Sequence, residues 1–423
     1  MPSVEPERAG LTGDQLLADL DLVMEGAYNP GHPGALAHLD PPALGASIVA
    51  ELICAGLNNN LLAEELSPSL TRLERSLMAW LAERLGLPAG SGGVPASGGS
   101  LSNLMALVTA RAAADLATCS DAVVLASREA HVSIGKALAV MGLPSDALRS
   151  IPVTSDGAMD VLALDEALTQ LRQSEVPVLA VVATAGTTVL GAVDPISAIA
   201  DLCTRHDVWL HVDGAIGAVF ALSEDHRHRL PGLDRADSIT MNPQKVLGIT
   251  KTSSLLLLAK PQALEAAFGT GLPYMEPSWS GGHGGESGLQ GSRPAEVLKL
   301  WLGLRQLGLN GIDTVLDGAI SRRRQLQGLL SDIPGLCLRS GRLHLLAFTP
   351  DHGDDTMAEA WSIRTRKRLL EQELMLSRPI YGGRHHLKAV LGNPHTGFAE
   401  LERLAAVIRA SLLSGGCSNP GGV

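Results

Sequence analysis

Residues 178–215 read VLAVVATAGTTVLGAVDPISAIADLCTRHDVWLHVDGA. Two apolar runs, 178–184 and 208–212, flank a segment, 195–206, whose apolar residues recur at helical spacing. Strands that are apolar almost throughout, joined by an amphipathic helix, suit a parallel sheet covered on both faces. Outward from this unit the alternation continues. Residues 122–126, 238–241 and 254–258 read as strands, and 132–141 and 163–173 as helices. The expectation is an α/β fold with a mainly parallel sheet.

The flanks differ. Up to about residue 90 the chain reads as helices, in LTGDQLLADLDLVMEGA, PALGASIVAELICAGLNNNLLAEEL and PSLTRLERSLMAWLAERLGL, with a Pro- and His-rich turn between the first two. Residues 260–291 form a long stretch rich in Gly, Pro and Ser, the kind of loop that is usually functional or disordered. From about residue 310 the pattern is that of a smaller α+β unit. Across 423 residues, 44 acids against 33 bases and no basic run argue against a nucleic-acid partner. No apolar window is long enough to span a bilayer, and the acidic, proline-containing start does not read as a signal peptide. Five scattered cysteines form neither a disulfide framework nor a zinc site, so no metal is expected and the compartment reads as cytoplasmic.

Three places carry candidate chemistry. Gly98-Gly99-Ser100 opens a helix, where backbone N–H groups and absent side chains admit a phosphate; Ser100 is also an ordinary helix cap. Asp213 ends an apolar strand, where α/β folds place ligands, though such an Asp can simply cap a turn. Lys245, in Asn242-Pro-Gln-Lys245, follows another strand among apolar residues. A desolvated lysine is a nucleophile toward aldehydes, whereas a snorkelling one is inert. Phosphate cradle, buried acid and buried lysine, at successive strand ends, match the needs of pyridoxal 5'-phosphate.

The chain resembles the group II pyridoxal-phosphate-dependent amino acid decarboxylases, which include aromatic amino acid, glutamate, cysteine sulfinate and 2,4-diaminobutyrate decarboxylases. The resemblance rests on ordered stretches: HPGALAHLDPP, LSPSLTRLERSLMAWLAERLGLP, ASGGSLSNLMALVTAR, SREAHVSIGKA, VVATAGTTVLGAVDPISAIADLC, WLHVDGA, ADSITMNPQKVLG and GSRPAEVLKLWLGLRQLG. It implies fold type I, the aspartate-aminotransferase-like PLP-dependent transferase fold, with a mainly parallel seven-stranded sheet. The expected division is an N-terminal helical segment (1–90), a large cofactor-binding α/β domain (91–308) and a small C-terminal α+β domain (309–423).

The same resemblance implies site roles. Lys245 would hold the cofactor as a Schiff base, and Asp213 would pair with the pyridine nitrogen. His131 and Ala215 would cover the two ring faces. Gly99, Ser100 and Asn242 would hold the phosphate, and Thr188 would approach the ring. Tyr274, one of three tyrosines, would return the proton to Cα from a mobile loop. The reaction implied is decarboxylation of an L-amino acid to its amine and carbon dioxide, in a homodimer with shared sites, where the neighbour's Gly291–Ser292 region lies near the phosphate. AHLDPP resembles the diaminobutyrate enzymes, and Asp40 could meet a distal ammonium, although it could equally begin the Pro-Pro turn. An acidic or aromatic amino acid, another outcome on the same cofactor, and a silent homologue are the alternatives. The chain departs from the family at Gln244, where histidine is usual, and at Ile216, PYMEP and Gly291-Ser-Arg-Pro294.

Overall fold

The computed structural model describes residues 1–271 and 282–413. Its centre is a seven-stranded sheet in the order β1-β7-β6-β5-β4-β2-β3. The strands are β1 (Gly92–Ala96), β2 (Val123–Ser127), β3 (Leu148–Ile151), β4 (Val178–Thr184), β5 (Trp209–Gly214), β6 (Ser238–Met241) and β7 (Ser254–Leu258). β6, β5, β4, β2 and β3 pair in parallel; β7 runs antiparallel to both β6 and β1. Along β4, Val181 and Ala183 join one core cluster while Ala180 and Val182 join another on the opposite face. Burial on both faces is why this strand is apolar throughout.

Two strands are not legible as strands. β1 (GGVPA) reads as a glycine-rich turn, yet it pairs along the sheet edge with β7. Gly93 is required there, because a Cβ would meet the Leu256 carbonyl and the Leu257 Cα at 2.9 Å. β3 (LRSI) is a half-exposed edge, so no apolar run marks it.

Local chemistry marks several of the helix ends. α1 (Gly13–Met24) opens with a reciprocal capping box between Thr12 and Gln15. α2 (Gly45–Leu57) closes on a left-handed Asn58, and α3 (Pro68–Arg84) has proline in its first turn. α4 (Gly99–Ala113), α5 (Ser133–Val140), α6 (Val161–Gln173) and α7 (Ile196–His206) follow β1, β2, β3 and β4. The Gly-rich stretch after β7 contains a short helix, α8 (Gln262–Phe268). α9 (Val297–Ser331) bends at Gly308, whose φ of 61° breaks the helical path.

Beyond it, β8 (Leu336–Arg339), β9 (Leu345–Pro350), α10 (Asp355–Leu370), the hairpin β10 (Ile380–Tyr381) and β11 (Arg384–His385), β12 (Leu387–Val390) and α11 (Phe398–Leu413) complete the described residues. β12, β9 and β8 form an antiparallel sheet with its own core, including Phe348, Trp361, Leu387 and Leu404. The N-terminal entry segment belongs to this unit as well: Leu36 donates to Met375 and accepts from Val390, and its side chain lies in that core. The segment then crosses back, and Leu44 N donates to Gly248 O at 2.7 Å, just past Lys245. Among the described residues no helix is long and apolar enough to cross a membrane.

Candidate functional site

The carboxyl ends of the parallel strands meet the start of α4. Register places Thr184 of β4 beside Asp213 of β5, and Asp213 beside Thr240 of β6. Three polar side chains thus form a row at the place where doubly wound sheets bind ligands. A cleft of about 240 Å³ opens there. Gly99, Ser100, His131, Thr188, Asp213, Ala215, Asn242 and Lys245 all line it, as do Asn103, Thr184, Gly186, Ile216 and Gln244. Tyr274 lies outside the described residues.

Asp213 is buried at the floor. Its Oδ2 accepts a hydrogen bond from Asn103 Nδ2 at 2.8 Å, and its Oδ1 accepts from the Ala215 N–H at 3.1 Å. Burial pulls the Lys245 ammonium below its ordinary range, against the upward pull of Asp213 and Asp40. His131 is likewise lowered, first by burial, with Asp213 opposing and Lys245 assisting. Its Nδ1 accepts from the Ser133 N–H at 3.2 Å and lies 2.8 Å from the Ser133 hydroxyl.

The residues present fit a phosphorylated cofactor. α4 begins at Gly98 with no side-chain cap, so its first N–H groups are free for an anion. Ser100 therefore does not cap this helix. A Cβ on Gly99 would approach the Asn242 amide at 3.1 and 3.3 Å and the Ala215 Cβ at 3.5 Å, so the glycine keeps the cradle open. Asn242 Oδ1 and Thr184 Oγ1 are buried with no partner in the protein. Such groups ordinarily have one, which a bound ligand would supply. Gly186, at φ +115°, carries the wall past Ile216, where a Cβ would meet the Ile216 Cβ at 3.0 Å. Among the described residues no cluster of His, Cys, Asp and Glu could hold a metal.

Several site residues were not singled out from the sequence. Asn103 was one polar residue inside an apolar helix, which was the available signal. Lys388 was a single lysine in the apolar run HLKAVL. It sits on β12, and its Nζ donates to the Thr188 carbonyl at 3.2 Å. Burial first, then Lys245, pushes it down to about 8. Gln244, which stands where the family usually has histidine, accepts from the Ser253 N–H at 2.6 Å and so braces the turn behind Lys245. Asp40 is ion-paired with Lys251 at 2.8 Å. Ser292 of the same chain accepts from Asn60 at 3.3 Å and does not line the cleft.

A family described as "Pyridoxal-dependent decarboxylase conserved domain" matches residues 5–333. The chain is 34% identical over 382 residues to an L-2,4-diaminobutyrate decarboxylase of Rhizobium meliloti (strain 1021), covering 88% of this chain and 76% of that one. It is 33% identical over 340 residues to the cysteine sulfinic acid decarboxylase of Homo sapiens, covering 76% and 68%. Among solved structures, mouse CSAD in apo form superposes with a TM-score of 0.89 at 26% identity, over 96% of this chain and 90% of that one.

Proposed function

The chain belongs to the pyridoxal-dependent decarboxylases, and on that footing we propose that it removes the α-carboxylate of an L-amino acid bearing a distal ammonium, 2,4-diaminobutyrate first among them. It is a carboxy-lyase that acts on an amino acid with pyridoxal 5'-phosphate as cofactor. Bound, that cofactor supplies an aldehyde for amines and a ring that accepts the electron pair left when carbon dioxide departs. The cleft bringing Lys245, Asp213 and the uncapped start of α4 together carries the reading.

The protein's own groups divide the work as follows. Lys245, with its lowered basicity, reaches the neutral amine form that attacks an aldehyde. Asp213, fixed by Asn103, keeps a proton on the ring nitrogen from a buried carboxylate. Gly99, Ser100, Asn242 and the α4 N-terminus would hold the phosphate, and His131, Ala215 and Thr188, which line the same cleft, would hold the ring. Lys388 offers the substrate carboxylate a cation beside Thr188. Tyr274 returns the proton to Cα as general acid. The exposed apolar faces of α1 and α2 support a homodimer in which the partner's Tyr274 and Gly291–Ser292 regions complete the site.

Asp40 supports the diamino acid reading. Its carboxylate is close enough to act on both Lys245 and Tyr28, and an incoming ammonium would replace Lys251 as its partner. Lys251 supports the second reading, an acidic side chain such as that of cysteine sulfinate, because it is the exposed cation of the pair.

The test begins with the absorbance spectrum of the purified protein before and after borohydride, with mapping of the adduct. A visible band that reduction removes, with the pyridoxyl label on Lys245, is expected. A protein that stays colourless with added pyridoxal phosphate overturns the reading. A panel of amino acids scored by carbon dioxide release then separates the substrates. Asp40→Asn lowers kcat/KM for diaminobutyrate about tenfold or more if the ammonium is read there. Unchanged turnover of diaminobutyrate, with cysteine sulfinate preferred and lost in Lys251→Met, selects the second reading.

A further inference from the structure

Asn103, in the first turns of α4, is 1% exposed and uses its whole amide. Nδ2 donates to Asp213 Oδ2 at 2.8 Å and to Ser133 Oγ at 2.9 Å. Oδ1 accepts from Thr240 Oγ1 at 2.7 Å and from His211 Nε2 at 3.1 Å. Two donors and two lone pairs are the full capacity of a carboxamide.

The direction of every proton is set from the ends. A carboxylate only accepts, so the amide nitrogen must face Asp213. The amide oxygen then faces His211, which must carry its proton on Nε2. His211 Nδ1 is left to accept from the Ser238 hydroxyl at 2.9 Å, and Ser238 Oγ accepts in turn from the indole Nε1 of Trp209 at 2.9 Å. Burial keeps His211 neutral, lowering it to about 4. On the other branch, Ser133 Oγ receives the second amide hydrogen, so its own hydrogen points to His131 Nδ1 at 2.8 Å. The Ser133 N–H points to the same atom. His131 is thereby fixed with its proton on Nε2. Among the described side chains, Asn103 alone bonds to both Asp213 and Ser133.

We propose that Asn103 is a positioning residue that sets Asp213 and His131 together, fixing the carboxylate's orientation and the imidazole's tautomer through one amide. The proposal rests on the reading that Asp213 and His131 face the cofactor ring, but its first measurement does not need the cofactor. The rigid hub places both groups before the ligand arrives, so binding need not pay to order them.

The experiment compares wild type, Asn103→Asp and Ser133→Ala as full-length, cofactor-free proteins with 15N-labelled histidine, assigning His131 from a His131→Gln control. Wild-type His131 shows the Nε2–H tautomer. Asn103→Asp has nearly the same shape but removes both donated hydrogens and sets a second carboxylate against Asp213. It is expected to mix the His131 tautomers and to weaken pyridoxal phosphate binding about tenfold or more, read by fluorescence titration. Ser133→Ala cuts only the histidine branch, so it shifts the His131 signals and changes cofactor affinity less. A folded Asn103→Asp protein with wild-type His131 signals, or with wild-type affinity for pyridoxal phosphate, overturns the proposal. Should Asn103→Asp fail to fold, unchanged His131 signals in Ser133→Ala overturn it alone. A wild-type protein that shows the fixed tautomer but binds no pyridoxal phosphate leaves the hub standing and defeats the cofactor assignment.

Discussion

Lys388 is 6% exposed, yet it holds an amine against the backbone carbonyl of Thr188, a residue of the cleft wall. Burial and the neighbouring Lys245 lower it from 10.5 to about 8. Below pH 8 both folded and unfolded chains hold this proton, and the folded chain bears the cost of a buried charge. Between about 8 and 10.5 the unfolded chain holds more protons, so this group makes stability rise with pH there. The cost at neutral pH is roughly 3 kcal/mol. Lys388→Met is therefore expected to raise the melting temperature at pH 7 while raising KM for the amino acid, measured by calorimetry and steady-state kinetics. Lys388→Arg, charged at all working pH values, is expected to remove the alkaline fall in kcat/KM near pH 8. Lys245 and Asp213 were legible because Asp213 ends one apolar strand and Lys245 closely follows another within one α/β pattern. Lys388 was not, because it reaches Thr188 from a strand about 140 positions beyond Lys245, and no local spacing encodes that approach.

At the level of elements, the turn after β4 depends on one buried carboxyl. Asp194 accepts from Met159 N through Oδ1 and from Thr184 N through Oδ2, both at 2.7 Å, tying the end of β4 to the segment before α6. Burial outweighs these donors and raises it from 3.8 to about 6. The sign is the reverse of a surface carboxylate: its stabilising contribution is complete below pH 4 and is lost as pH rises through 6. Asp194→Asn is expected to lower stability by about 1–3 kcal/mol, since one backbone donor loses its acceptor. It is also expected to flatten the melting temperature between pH 4 and 7, as seen in a pH series of thermal scans. The central strands were readable for the reason that makes them central: two buried faces demand continuous apolar sequence. β1 escaped because its glycines and proline are tolerated at an edge, and β3 because half its side chains face solvent.

At the scale of the molecule, α1 buries none of its residues, and α2 buries only Ser47, Ala50 and Cys54. Leu17 and Leu52 are 61% and 73% exposed, with Leu20, Val23, Ile48 and Val49 beside them on those helices. Apolar faces of this kind are covered in a stable assembly. Sedimentation is expected to find a dimer, and Leu17→Asp with Leu52→Asp to shift it toward monomer and reduce activity with it. A wild-type protein that is monomeric and fully active would remove the shared-site reading. A last consequence lies in how the two ends of the chain interlock. Thr396 donates to Pro33 O across 363 positions, and Leu36 lies inside the core of the C-terminal unit. At about 5–20 residues per second, a ribosome needs roughly 20–70 s to travel that distance. For that interval Leu36 has no core to enter, so a nascent chain must finish this small sheet late, with residues 33–36 unpacked until the strands and helices that enclose Leu36 have been made.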